Sequence, residues 1–169
     1  LGITGFREGG RKHGRTVMPH ILREMTAADL DAVLAIRLST RENAITLQEL
    51  EQDYGITTEG LARAMETHVR GWLCEVDGSV AGFSMGDASN GEVQVVAVHP
   101  GFENLGIGRC VLQAVCDWLF SEGHARLWLG ANPDPNIRAT GFYEKLGWRR
   151  NGEMKGEDEV LVLMKPEAR

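Results

Sequence analysis

The stretch from residue 93 to residue 112, VQVVAVHPGFENLGIGRCVL, constrains the fold of this chain more than any other part of it. It begins with an apolar, β-branched run at residues 95–98, which is short enough to be a buried strand. Pro100 then ends the strand, because proline has no N–H to give to a neighbouring strand. Gly106 and Gly108 follow, and a helical pattern with Leu112 on its apolar face begins there. The sequence therefore predicts a strand, a glycine turn and a helix in direct succession.

A strand, a glycine turn and a helix N-terminus in this order can form a site for an anion. The first N–H groups of a helix have no partner within it, and the helix dipole is positive at that end. Glycine lets a phosphate group approach the backbone closely. A dinucleotide-binding fold would need a third glycine where Val111 stands, and an NTPase phosphate loop would need a Gly-Lys-Ser or Gly-Lys-Thr, which is missing. These two kinds of nucleotide site are therefore excluded.

Length and composition indicate one globular domain. The chain has 169 residues, of which 43% are hydrophobic and 25% are charged, and none of its apolar runs has the length of a membrane span. Residues 1–17 are rich in glycine and basic side chains and show no periodicity, which predicts a flexible leader. Residues 18–169 contain no linker of proline and glycine, so we expect them to form a single domain.

Charge and cysteine content restrict the partners and the compartment. The net charge of −6 argues against a broad nucleic-acid-binding face, so the basic leader is interpreted as a solvated tail. Cys74, Cys110 and Cys116 lack the paired spacing of a disulfide framework or a zinc site, and each is expected to serve as a small apolar residue. With no apolar signal segment at the N-terminus, the sequence favours a reducing, cytoplasmic setting without membrane partners, and it leaves a homodimer open.

Local patterns predict the order of the remaining elements. A first strand at 20–24 is followed by three helices, which are capped in turn by Thr26, Thr46 and Thr58, and the third helix is expected to reach Val69. Two strands at 71–76 and 80–86 are then joined by Asp77 and Gly78, a typical hairpin turn, and lead into the central strand. The helix after Gly108 connects that strand to a fifth strand at 126–130, which should lie parallel to it.

A second motif near the C-terminus carries a resemblance to a known family. Residues 136–148 read NIRATGFYEKLGW and resemble the Asn-x-x-Ala-x-x-Phe-Tyr-Glu-Lys-x-Gly-Phe stretch of the Gcn5-related N-acetyltransferases. Residues 103–108, ENLGIG, resemble the family's Gln/Arg-x-x-Gly-x-Gly/Ala motif, and the two motifs stand in the family's order. The resemblance covers roughly residues 20–165. It implies an α/β (α+β) fold with a mixed, mostly antiparallel central sheet, a splayed parallel strand pair and flanking helices.

The resemblance also implies acetyl-CoA as co-substrate and no metal. Pantetheine is an amide chain, so it can pair with the open edge of the central strand, while its pyrophosphate faces the N–H groups of the glycine turn. One residue departs from the family pattern, because Glu103 stands where glutamine or arginine is commoner, and Arg109 is expected to offset its charge. The residues that the resemblance assigns to acetyl-CoA are Val96, Ala97, Val98, Glu103, Asn104, Leu105, Gly106, Ile107, Gly108, Arg109, Asn136 and Tyr143.

By the same resemblance, Tyr143 is the general acid that protonates the departing thiolate of CoA. The alternative interpretation is that Tyr143 is a core aromatic beside Phe142. Adjacent residues of a helix cannot both face the same way, so we expect one of these rings to pack inward and the other to reach the cleft.

Glu92 matches a family position where a carboxylate acts as a general base through water. Alternation along a strand would place Glu92, Gln94 and Val96 on one side of the sheet. Glu92 is otherwise an exposed carboxylate beside a turn, and His99 is a second candidate for the base.

The amine acceptor is the partner that the sequence identifies least. Family resemblance places acceptor contacts in the helical region near the N-terminus, and the acidic residues 157–159 could attract a cationic acceptor. The four residues of that helical region that are candidate contacts are Arg41, Glu42, Asn43 and Tyr54. Capping and surface pairing explain these residues equally well. The alternative to an enzyme is a non-catalytic acyl-CoA-binding regulatory module, but such a module has no need of the phenol of Tyr143.

Overall fold

A computed structural model of the chain describes residues 20–40, 46–134 and 138–167. The predicted leader at residues 1–17 and three of the candidate acceptor contacts, Arg41, Glu42 and Asn43, lie outside the described residues. The strands are β1 (His20–Glu24), β2 (Val69–Val76), β3 (Ser79–Asp87), β4 (Glu92–Val98), β5 (Arg126–Ala131), β6 (Arg149–Lys155) and β7 (Asp158–Met164). The helices are α1 (Leu30–Ser39), α2 (Leu47–Tyr54), α3 (Thr58–Met65), α4 (Ile107–Ser121) and α5 (Arg138–Lys145).

Within the described residues, the strands form one seven-stranded sheet in the order β1-β2-β3-β4-β5-β7-β6. Neighbouring strands are antiparallel except for β4 and β5, which are parallel. That parallel pair is in register at a single position, Glu92 opposite Trp128, and the two strands diverge beyond it. The structure therefore confirms the predicted mixed sheet and its splayed parallel pair.

Helices cover the two faces of the sheet. On the face that we call the α4 face, α4 packs its apolar side on β4, β5 and β7 through residues such as Val115, Leu119 and Leu161. On the opposite face, the α1 face, Leu30 and Val33 of α1 pack with strand residues of β2, β3 and β4. None of the described helices combines the length and the apolar character that crossing a lipid bilayer requires.

Two glycines of β3 let α4 lie close to the sheet. A Cβ atom added to Gly82 would lie 2.7 Å from Cγ2 of Ile107, and one added to Gly86 would lie 2.6 Å from Cγ1 of Val115. Both distances are shorter than carbon atoms tolerate, so larger residues at these positions would push the helix away. The position of the α4 N-terminus, which carries the glycine turn, therefore depends on these two residues.

A bulge in β4 corrects the predicted alternation of this strand. Met85 of β3 lies opposite Val95 of β4, but the next residue, Gly86, lies opposite Val93, which leaves Gln94 as an extra residue. As a result Val93 and Val96 both pack on the α4 face, although they are three residues apart. The prediction that Glu92, Gln94 and Val96 share one side of the sheet is therefore wrong.

Two element boundaries also differ from the sequence prediction. Helix α3 is capped by Thr57 and not by Thr58, because the Thr57 hydroxyl accepts a 3.0 Å hydrogen bond from the Gly60 N–H. Val69 does not continue this helix but begins β2. The sequence did not predict β6, the strand that forms a hairpin with β7. Its sequence, RRNGEMK, has neither apolar alternation nor β-branched residues.

Candidate active site

The splay between β4 and β5 exposes one backbone edge of β4. The N–H of His99 donates a 2.8 Å hydrogen bond to the Ala81 carbonyl on the β3 side, which shows which residues of β4 pair with β3. Because backbone groups alternate in direction along a strand, Ala97 also points to β3, whereas the N–H and C=O groups of Val96 and Val98 point to the opposite edge. Within the part of the chain that the structure describes, no strand pairs with that edge beyond Glu92. Of the three predicted strand contacts, two therefore offer backbone groups to the cleft.

The turn that follows β4 holds its shape through its own residues. Nδ1 of His99 accepts a 3.0 Å hydrogen bond from the Gly101 N–H, and the His99 ring meets the Phe102 ring edge-on at 5.8 Å between centroids. Asn104 and Gly106 adopt left-handed backbone conformations, with φ of 64° and 79°. These contacts give His99 a part in the turn, at the opposite end of β4 from Glu92.

The first turn of α4 begins at a glycine. Gly106 is the N-cap residue, and it offers no side chain of its own to cap the N–H groups of the helix start. A Cβ atom added to Gly106 would meet no atom of the described residues within 4 Å, its chain neighbours aside. Leu105 and Arg109 are exposed beside it, whereas Glu103 is half-buried. A helix start of this kind is suited to bind phosphate through its backbone N–H groups.

Gly108 brings the two sequence motifs together. A Cβ atom added there would lie 3.4 Å from Cγ2 of Val98 and 3.5 Å from Cζ of Phe142. The end of β4, the first turn of α4 and helix α5 therefore meet at this glycine. Although 34 residues separate Gly108 from Phe142 in the sequence, they line the same cleft.

Tyr143 of α5 is partly buried on the α4 face, where its ring contacts Trp148 and Phe142 at centroid distances of 6.1 and 5.3 Å. Burial raises the pKa of the Tyr143 phenol above its ordinary value, and nearby Cys116 adds a smaller contribution in the same direction. The phenol is therefore protonated at neutral pH. Phe142 packs on the same cluster, so the prediction that only one of the two rings would pack inward is wrong. Among the described residues, the Tyr143 hydroxyl has no hydrogen-bond partner.

The segment between β5 and α5 is only partly described. Asn136, which the sequence assigned to the pantetheine arm, lies outside the described residues. On the described side of this gap, the Thr140 hydroxyl donates a 3.2 Å hydrogen bond to the Asn132 carbonyl. Thr140 is buried and so fixes the start of α5 to the end of β5. Sequence analysis missed this role, since a threonine within a helix gives no local signal of such a contact.

Glu92 lies at the bottom of the splay and is paired with a lysine that the sequence did not reveal. Its Oε2 atom is 2.7 Å from Nζ of Lys155, and the Glu92 side chain is only 12% exposed. The same Nζ atom lies 4.9 Å from the centroid of the Trp128 ring. Lys155 belongs to the unpredicted strand β6 and lies 63 residues from Glu92 in the sequence, so no local pattern could have found this contact.

The acidic residues 157–159 do not form a single patch. The Glu159 carboxylate lies 3.0 Å from Nε of Arg150, and Glu159 is opposite Ala131 on the α4 face. Asp158 alternates to the other face, where it lies against Gly130. Tyr54, the remaining candidate acceptor contact, is the last residue of α2, and its side chain lies outside the described part of the structure.

No group of three or more histidine, cysteine, aspartate or glutamate side chains among the described residues could hold a metal ion. Cys74 and Cys116 are buried, as predicted, and burial raises their pKa values to about 11 and about 12. Cys110 is exposed, which corrects the prediction that each cysteine serves as a small apolar residue.

Comparison of the fold with solved structures finds close neighbours of nearly equal extent. PaiA N-acetyltransferase of Thermoplasma acidophilum, in complex with coenzyme A, aligns with a TM-score of 0.74 and 16% identity over 88% of this chain and 100% of that one. YncA of Salmonella typhimurium, with its cofactor acetyl-CoA, aligns with a TM-score of 0.67 and 19% identity over 89% of this chain and 96% of that one. At these identities the likeness establishes a shared fold.

Sequence comparison identifies the family. An uncharacterized N-acetyltransferase of Methanocaldococcus jannaschii is 28% identical over 101 residues, which are 56% of this chain and 65% of that protein. The match thus spans less than two-thirds of that relative's length. A sequence model of the acetyltransferase (GNAT) family matches residues 35–148, which include β4, the glycine turn and α5. The chain therefore belongs to the acetyltransferase (GNAT) family.

Proposed function

We propose that this chain is an N-acetyltransferase that transfers the acetyl group of acetyl-CoA to a primary amine by direct attack. The observation that carries this proposal is the junction at Gly108, where the open edge of β4, the start of α4 with its glycine N-cap and helix α5 meet. The family and the two structural neighbours with CoA or acetyl-CoA support the choice of donor.

The residues of the cleft fit the parts of acetyl-CoA. The backbone groups of Val96 and Val98 would pair with the amides of the pantetheine arm, as an added strand does. The N–H groups at residues 105–109 would face the pyrophosphate, and the exposed Arg109 would add a positive charge there. Asn136 is the proposed contact to the pantetheine arm. The proposed acetyl-CoA contacts also include residues 97, 103, 104 and 107, which shape the backbone of the strand and of the glycine turn.

Acetyl-CoA supplies a thioester, at which a C–N bond to the amine forms while the C–S bond breaks. In this proposal Tyr143 donates its phenolic proton to the sulfur that leaves, which yields the neutral thiol. The second proton that the nitrogen loses when it becomes the amide then restores the phenol. Burial raises the pKa of Tyr143, so the phenol is protonated at neutral pH, which is the form that a general acid requires, and the same shift makes it a weaker proton donor than an exposed tyrosine. Glu92 is the proposed base, which takes the proton of the acceptor ammonium through water before attack.

The three free cysteines support a reducing setting such as the cytoplasm. Cys74 and Cys116 are buried free cysteines, and Cys110 is an exposed one.

A panel of primary amines with acetyl-CoA tests the proposed function. The panel contains alkyldiamines, amino acids, an aminoglycoside and peptides with a free N-terminus or a lysine, and it is read by thiol release together with the mass of the product. Thiol release above the hydrolysis background and a product heavier by one acetyl group are expected for at least one amine. Acetyl-CoA binding without turnover on any amine would instead favour the non-catalytic acyl-CoA-binding module.

A further inference from the structure

Lys155 occupies a small site on the α1 face of the sheet, at the bottom of the splay between β4 and β5. Its Nζ atom lies 2.7 Å from the Glu92 carboxylate and 4.9 Å from the centroid of the Trp128 ring. A carboxylate and the face of an indole ring are the two groups that bind an ammonium ion best in proteins. Glu92 and Trp128 therefore form a cation site, and a side chain of the same molecule fills it.

The side chain of Lys155 can move out of this site, whereas Glu92 and Trp128 are held in place by the sheet. Glu92 belongs to β4, and Trp128 is fixed in β5 by a 3.0 Å hydrogen bond from its ring N–H to the Asn90 carbonyl. Lys155, in contrast, is the last residue of the edge strand β6, and its side chain is 59% exposed. Ion pairs with this exposure are held weakly, and a lysine side chain has several alternative rotamers in solvent.

We infer that Glu92 and Trp128 bind the ammonium group of the acceptor and that Lys155 closes this site until an acceptor displaces it. The inference rests on the proposed function, since it places the acceptor beside the proposed base. The occupant also indicates the chemistry of the acceptor. The acceptor should resemble the side chain of Lys155, which is a primary ammonium group at the end of an unbranched alkyl chain. An alkyldiamine and the lysine side chain of a peptide both have this structure.

This arrangement assigns two steps to one carboxylate. Glu92 first attracts the acceptor as a cation, and it then takes one proton from the ammonium through water, which leaves a neutral amine for the attack on the thioester. The exchange of one ammonium for another keeps the charge of the site balanced throughout binding. Lys155 therefore acts as a competitor of the acceptor and contributes nothing to acetyl-CoA binding.

Kinetics of Lys155→Met test the competition, because methionine keeps much of the side-chain volume and removes the charge. With 1,5-diaminopentane as acceptor, KM for the amine should fall about 5- to 30-fold, the factor that corresponds to about 1–2 kcal/mol for an ammonium against an aromatic ring. KM for acetyl-CoA should stay within about twofold. Lys155→Arg keeps the charge and should retain the wild-type KM, and Lys165→Met removes an exposed charge elsewhere on the chain as a matched control.

Amine binding without acetyl-CoA gives a second readout that does not depend on turnover. Titration of tryptophan fluorescence with 1,5-diaminopentane, and separately with a short lysine-containing peptide, should give tighter binding in Lys155→Met than in the wild type. Trp128→Leu should abolish the titration, and the probe that binds more tightly distinguishes a small diamine from a peptide as the source of the ammonium.

The outcomes separate this inference from the proposed function. An active wild type whose amine KM and amine affinity are unchanged in Lys155→Met would overturn the inference and leave the function standing. If amines bind at Trp128 in the fluorescence titration but the protein acetylates none of them, the result would support the site and overturn the proposed function.

Discussion

The hydroxyl of Tyr143 is one oxygen atom on which the proposed mechanism depends. Burial raises the pKa of this phenol, so the proton stays in place at pH values where an exposed tyrosine begins to ionise. An activity that depends on this proton is present below the pKa and is lost only above it. The contribution of Tyr143 to turnover should therefore persist as the pH rises through about 10, the ordinary tyrosine value.

Tyr143→Phe removes the hydroxyl and keeps the ring in its contacts with Phe142 and Trp148. Turnover should fall by about 10²- to 10⁴-fold, the usual contribution of a positioned acid. Acetyl-CoA affinity and melting temperature should change little, because the hydroxyl has no hydrogen-bond partner among the described residues. Steady-state kinetics, calorimetry and thermal melts check the three parts, and wild-type turnover would remove Tyr143 from the mechanism.

Glu92→Gln tests the proposed base and keeps the shape of the side chain. Loss of the proton acceptor should lower kcat/KM by about 10²-fold or more, while acetyl-CoA affinity stays intact. A variant that is as active as the wild type would leave attack to an amine that loses its proton to solvent. Glu153→Gln provides the matched control, since it changes an exposed glutamate of β6, the strand that carries Lys155.

At the scale of elements, a charged cluster fixes β1 to the start of α1. Arg23 of β1 donates two 2.8 Å hydrogen bonds to the Asp29 carboxylate and also contacts Glu75 of β2. These bonds from Arg23 lower the pKa of Asp29 to about 2, against an opposing effect of burial and with help from the Thr26 N–H. Stability from a carboxylate with a lowered pKa is present above its unfolded value of about 4 and is lost as the pH falls through about 2.

Asp29→Asn should lower the free energy of unfolding at pH 7 by about 1–2 kcal/mol, after allowance for solvent around the partly exposed Arg23. The difference from the wild type should shrink below about pH 4 and vanish near pH 2. Urea unfolding at pH 7 and near pH 2 measures this difference in the free energy of unfolding, and Asp31→Asn, at an exposed position, is the control. Equal stability of Asp29→Asn and wild type at pH 7 would show that the cluster does not stabilise the fold.

The elements also show what sequence can and cannot predict. β4, the glycine turn and α4 follow from the apolar run, Pro100, Gly106 and Gly108, because each signal lies within the segment that it shapes. The bulge at Gln94 depends on its partner strand β3, and no local pattern records that pairing. Strand β6 has Met154 as its one large apolar residue and pairs at the sheet edge, so no local pattern in the sequence reveals Lys155 or its contact with Glu92.

At the scale of the whole molecule, the order of the strands creates the cleft. β5 pairs with β4 only at its start, whereas it pairs with β7 along the whole of its other edge. Helices α4 and α5 cover the α4 face of the sheet. Among the described residues, the edge of β4 that faces the splay has no partner strand beyond Glu92. We therefore propose that acetyl-CoA binds in the splay, with its phosphates at the first turn of α4.

Calorimetric titration of acetyl-CoA into wild type and Gly108→Glu tests that placement most directly. The new carboxylate would lie at the first turn of α4, where repulsion of the pyrophosphate by about 2 kcal/mol corresponds to an affinity loss of about 30-fold or more. Gln113→Glu adds the same charge to an exposed position further along α4 and should bind like the wild type. We predict tight binding to the wild type and strong loss in Gly108→Glu, with both variants folded by thermal melt. Equal affinity of a folded Gly108→Glu and the wild type would contradict the account.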